Sequence, residues 1–178
     1  MAHAWLLCSY RLPRTPTRLR LAAWRRARRL GAVLLHDAVW VLPADAKTRE
    51  DFEWLAEEIE ERGGSVLLWE ASSLGPGQDR TLVERFRADA NGRYADIAVA
   101  ADQLARLARR RRLGQPTLDQ GLQRLRLLER SLRLERRRDY FRAPGREAAA
   151  SAVATALTAF KERTGGTITR GRARAVGD

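Results

Sequence analysis

The sequence predicts an α+β protein, a four-stranded sheet with two helices followed by an all-helical extension. Three observations predict it. In the first 70 residues, short apolar runs alternate with stretches of helical period. Strand signals then stop at the Gly/Pro/Ser-rich "ASSLGPGQD" (71–79). Beyond that point apolar residues recur only at helical spacing. At 178 residues with 44% hydrophobic content, the chain is long enough to bury a proper core.

Trp5–Tyr10, "WLLCSY", is a short apolar run ended by "RLPRTPT", a buried strand followed by a turn. Thr17 caps a helix from Arg18 to Leu30, with Gly31 as its stop. Leu19, Ala23, Trp24, Ala27 and Leu30 share its apolar face, and Arg18, Arg25 and Arg29 stripe the opposite one, flanked by Arg26 and Arg28. Arg20 alone falls on the apolar side. "GAVLLHDAVWVLP" resolves into strands Ala32–His36 and Val39–Leu42, joined at Asp37-Ala38. Thr48 opens a second helix with Phe52, Leu55, Ala56 and Ile59 on one face, stopped by Gly63-Gly64. "SVLLWE" (65–70) is a fourth strand. Strand, helix, strand, strand, helix, strand is the split βαβ, ferredoxin-like arrangement.

In the extension, Leu82, Val83 and Phe86 suggest one helix, and Tyr94 to Ala108 a long one ending in "RRRR" (109–112). Leu118, Leu122, Leu125, Leu128 and Leu132 mark a further helix over Leu118–Arg138. Ala149, Val153, Leu157 and Phe160 mark another. The expected organisation is a ferredoxin-like domain over 1–72, a helical domain over 80–164 and a basic flexible tail over 165–178.

Net charge is +12, with a pI near 11.3. Such a balance favours polyanionic partners. Arg supplies 32 of the 34 basic residues, and its planar fork suits phosphate. The charge is segregated: residues 1–36 carry +8, 37–70 carry −7, and the remainder +11. No apolar run reaches the roughly 18–20 residues of a membrane span, so no membrane partner is expected. The N-terminus lacks the basic start of a signal peptide, and the lone Cys8 permits no internal disulfide, so the expected compartment is the cytoplasm. Cys8 itself, inside a strand pattern, reads as a buried, inert thiol.

Catalytic sets are sparse. His3 and His36 are the only histidines and Cys8 the only cysteine, too few for a His/Cys metal cluster. The chain has no GxxxxGK[ST] loop, no GxGxxG after a strand and no GxSxG elbow. The acids of 50–61 lie mostly on the outer face of one helix. Neither an enzyme activity nor a cofactor is therefore expected. Three basic clusters carry the functional signal: Arg18 with Arg25, Arg26, Arg28 and Arg29; Arg109, Arg110, Arg111 and Arg112; and a secondary patch of Arg136, Arg137 and Arg138. The first two are the candidate DNA-phosphate contacts, each releasing counterions on binding. All three also lie near helix ends, where cations complement the helix dipole.

The stretch "WLLCSYRLPRTPTRLRLAAWRRARRLGAVLLHDAVWVLPADAKTREDFEWLAEEIEERGGSVLLWEA" resembles the N-terminal region of ChrB, the chromate-resistance regulatory protein of bacteria. The pattern is a WLL-x₂-Y-x-LP strand, a basic Trp-containing helix, LGAVLL-x-D-x-VW-x-LP and E-x-LA-x-EI. The later "ERFRADANGRYADIA" and "DYFRAPGREAA" extend the likeness over most of the chain. More distantly, the opening module is similar to the ferredoxin-like domain of phenylacetate-type repressors and of CRISPR spacer-acquisition nucleases. The nucleases end their first strand on a metal-holding Asp; here that strand ends "CSYR", without a carboxylate.

The resemblance implies a cytoplasmic transcriptional regulator that binds double-stranded promoter DNA and responds to chromate as effector. It also implies a second, C-terminal domain, so the expectation is a DNA-binding chain without the usual sensing domain. A basic first helix and an acidic second helix offer complementary surfaces for a homodimer. The alternative is a non-enzymatic accessory subunit for a separately encoded sensor protein.

Overall fold

The computed structural model describes residues 3–13 and 17–174, with side chains as far as residue 165. Its order is β1 (Ala4–Arg11), α1 (Thr17–Leu30), β2 (Val33–His36), β3 (Val39–Pro43), α2 (Ala46–Glu60), β4 (Ser65–Ser72), α3 (Pro76–Ala108), α4 (Gln115–Arg138) and α5 (Arg146–Arg174). The strands form one antiparallel sheet in the order β2-β3-β1-β4. The chain divides into two compact units, Met1–Asp89 with Arg138–Phe141, and Ala90–Arg137 with Arg142–Asp178.

In the first unit, cross-strand partners share a face of the sheet. Leu6 lies between Leu42 and Glu70, and Cys8 between Trp40 and Leu68. Glu70 accepts from Arg49 of α2 at 2.6 Å, so this face looks toward the helices. Phe52, Leu55 and Ile59 of α2 and Ala23 and Ala27 of α1 complete its core. Burial pushes the Cys8 thiol up to about 12, and the side chain is fully shielded, so it packs as a small hydrophobe.

The opposite face carries Trp5, Leu7, Val41 and Val33. Trp5 stacks on Phe86 of α3 with ring centres 5.8 Å apart, and Phe141 closes on both rings. Phe141 comes from the segment Arg138–Phe141, the last residue of α4 and the three after it, which returns to this unit. Tyr140 and Phe141, the first aromatics of "DYFRAPGREAA", pack against Phe86 on this face.

Local chemistry sets the ends of the elements. Asp45, rather than Thr48, caps α2: its side chain accepts from the Thr48 amide at 2.8 Å, while Thr48 Oγ1 accepts from the Asp45 amide at 3.0 Å. This reciprocal capping box moves the helix start two residues ahead of the predicted Thr48. Asp37, at φ +37°, makes the tight β2–β3 corner. Gly31 ends α1 at φ +82°, and a Cβ there would sit 2.9 Å from Arg138 Cβ, so both backbone and space demand glycine.

Two expectations change. The helices predicted around Phe86 and Tyr94 are one 33-residue helix, α3, because the buried Phe86, Ala90, Tyr94, Ile97 and Ala101 keep i, i+4 and i, i+3 steps through Gly92. Pro76 starts it inside the predicted linker, at a helix end where its missing N–H costs nothing. Trp24, placed by periodicity on the apolar face of α1, is 43% exposed and lies under the Arg28 guanidinium at 5.5 Å.

In the second unit, the later part of α3 with α4 and α5 buries Tyr94, Leu125, Val153 and Phe160. Gly121 is the close-approach point of α4: a Cβ there would meet the Phe160 ring at 2.6 Å. Arg93 reaches the buried Glu135 at 2.8 Å. The predicted tail at 165–178 lies largely outside the described side chains.

Candidate nucleic-acid interface

α1 presents its arginines unequally. Arg18, Arg25 and Arg29 are exposed, and among the described residues none has an acidic partner. Their i, i+7, i+11 spacing aligns them on one side over about 16 Å at 1.5 Å per residue. The other two are held by the protein. Arg28 pairs with Asp89 at 3.1 Å, and Arg26 is half-buried with its Nε shielded and unbonded.

The end of α1 is satisfied from the end of α4 and the residues just after it. Arg138 donates to the carbonyls of Arg28 and Arg29 at 3.0 and 3.4 Å, and Tyr140 Oη donates to that of Leu30 at 2.7 Å. A guanidinium on the last carbonyls of a helix also meets the negative end of its dipole. Arg138, counted with the secondary basic patch, therefore serves to anchor the basic helix. Arg136 and Arg137 are exposed at the end of α4.

Arg109 to Arg112 follow the last turn of α3 in the second unit and are all exposed. A second stripe in the same unit lies outside the predicted clusters except for Arg137. Arg126, Arg130, Arg133 and Arg137 of α4 recur at i, i+4, i+7, i+11 and are all exposed. Its signal lies in "RLRLLERSLRLERRR", where leucines at core spacing mask the arginine period between them. Arg106, Arg110 and Arg124 also border a groove of about 600 Å³ over Leu107, Leu127 and Leu128.

The buried carboxylate of the first unit is structural. Asp79 accepts from the Trp5 indole at 2.8 Å, the His3 amide at 2.7 Å and the Ser73 hydroxyl at 2.7 Å. The His3 ring lies 3.3 Å away. These donors, the Trp5 indole foremost, hold the Asp79 carboxyl well below the usual carboxylate range. Among the described residues, no group of three or more His, Cys, Asp or Glu side chains is placed to hold a metal ion. No helix among them is long and apolar enough to cross a membrane.

Fold and surface together define a class: an α+β sheet unit and a helical unit, each displaying arginine stripes without acidic partners. Residues 20–169 match the family model described as Protein ChrB, N-terminal. The chain belongs to that family, the chromate-resistance family its sequence resembles. No curated protein and no solved structure gives a significant match.

Proposed function

We propose that this chain is a DNA-binding transcriptional regulator of the chromate-resistance type, acting in the cytoplasm without catalysing a reaction. Its first unit is read as a ferredoxin-like module, a reading supported by the β2-β3-β1-β4 strand order. The observation that carries the DNA reading is the pair of exposed arginine stripes on α1 and α4. Each covers about 16 Å at the helical rise, enough to meet phosphates on both sides of a major groove about 12 Å wide. Arg109 to Arg112 add a further phosphate-binding surface.

Such contacts fix position on a duplex and carry no sequence information by themselves. A two-fold dimer would set two basic helices against two half-sites. Chromate is the effector this reading implies. As a dianion it suits paired guanidiniums, and the reading assigns it to Arg106, Arg110 and Arg124 at their common groove. The accessory-subunit reading has one observation in its favour, the exposed apolar surface around β4.

The test is a salt titration of DNA affinity. Each phosphate contact contributes about −0.9 to the slope of log K against log salt. The R18E/R25E/R29E variant, altered only at the exposed stripe, should lose retention at near-physiological salt and flatten the slope by about 2–3, its Tm staying close to the native value. An unchanged slope and affinity would remove α1 from the interface.

A further inference from the structure

The strand order leaves β4 on the rim of the sheet, with its outer backbone groups facing away from β1. Edges of this kind are usually blunted by lysine, proline, a bulge or a short length. β4 has none of these. It is eight residues long and pairs with β1 in unbroken register from Ser65 to Ser72. Its single charge, Glu70, is tied to Arg49. In place of charge it exposes Leu67 at 60%, Leu68 at 40% and Trp69 at 57%.

We propose that β4 pairs antiparallel with β4 of a second copy, about a two-fold axis through Leu68, so that the two sheets become one. The chemistry that completes an unpaired strand edge is another strand. The residues favour this same strand as the occupant. With the axis at Leu68, Leu67 lies opposite the partner's Trp69, and Trp69 opposite the partner's Leu67. Both pairs fall on one face of the joined sheet, because i and i+2 share a face. Leu68 meets the partner's Leu68 on the other face. Glu70 lies opposite the partner's Val66, so no like charges meet across the strands. Shifting the axis to Leu67 would set Trp69 against the partner's Ser65 and lose the apolar match.

The area predicts the strength. A fully buried Trp covers roughly 150–250 Å², so the half-exposed Trp69 adds about 100 Å². With the two leucines, this gives roughly 250–300 Å² of apolar side chain per copy, below the ~800 Å² per partner of a standard interface. The dimer is therefore a weak, concentration-dependent one. It deepens the dimer reading above by naming its interface and is independent of DNA binding.

Sedimentation velocity on the full chain without DNA, across about 1–100 µM, tests it. The mass should rise with concentration to twice the 20.1 kDa of one chain, and high salt should not reduce it, since the contact is apolar. L67K/W69K, altered only at exposed side chains, should stay monomeric throughout with unchanged circular dichroism and Tm. L68C should form a disulfide-linked dimer under mild oxidation, because the axis sets the two thiols face to face and Cys8 is buried. A chain monomeric at every concentration would overturn the proposal. So would a dimer that survives L67K/W69K or dissolves in salt, the latter pointing to the α1 and α2 surfaces. Loss of promoter binding, measured separately, would overturn the regulator reading and leave this one standing.

Discussion

Asp79 shows how one side chain can organise a unit while leaving little trace in the sequence. In "LGPGQD" it looks like the end of a linker. In the fold its carboxylate gathers donors from before β1, from β1 and from after β4 at the point where α3 begins. Its depressed pKa fixes the direction of a pH effect. A group held lower in the folded than in the unfolded chain contributes stability above its unfolded value, near 3.9, and loses it as pH falls through the folded one. D79N should therefore be less stable than the native chain at neutral pH, with the indole and amide donors left facing an amide. The two should converge as pH drops below about 4. Urea midpoints across that range check it, and parallel curves would mean that Asp79 carries no such linkage.

Elements were legible where periodicity decides them and obscure where neighbours do. Strand β1, helix α1 with its Gly31 stop, and the β2–β3 corner fall within a residue or so of their predicted places, because apolar spacing and turn residues act locally. The exposure of β4 was not legible. "SVLLWE" carries the same apolar signature as the interior strand "WLLCSY", and only strand order places one in the middle of the sheet and the other at its rim. The exposure of Trp24 was hidden for the same reason. The α1 stripe was legible as charge period; the α4 stripe could have been, since both share the i, i+7, i+11 step. If both touch DNA, R126E/R130E/R133E should flatten the salt slope by about as much as the α1 triple, roughly 2–3. A flat response in one helix only, read by the same titration, would assign the interface to the other.

At the scale of the whole molecule, the basic residues are divided among structure and surface rather than pooled. Arg28, Arg93 and Arg138 hold the fold through Asp89, Glu135 and the α1 carbonyls. Arg18, Arg25 and Arg29 on α1, with Arg126, Arg130, Arg133 and Arg137 on α4, face outward. Composition favours a polyanion partner; which arginines would be available to one depends on tertiary contacts that no composition reports. Membership of the ChrB N-terminal family gives that surface a context, and the reading it supports is a regulator that distinguishes one DNA sequence from another. Fluorescence anisotropy with the duplex from upstream of its own gene, against a shuffled duplex at one near-physiological salt concentration, tests this most directly. The account predicts at least about tenfold tighter binding to the native duplex, about 1.4 kcal/mol. Equal affinity for both duplexes would contradict it, leaving a basic surface that binds DNA without reading it.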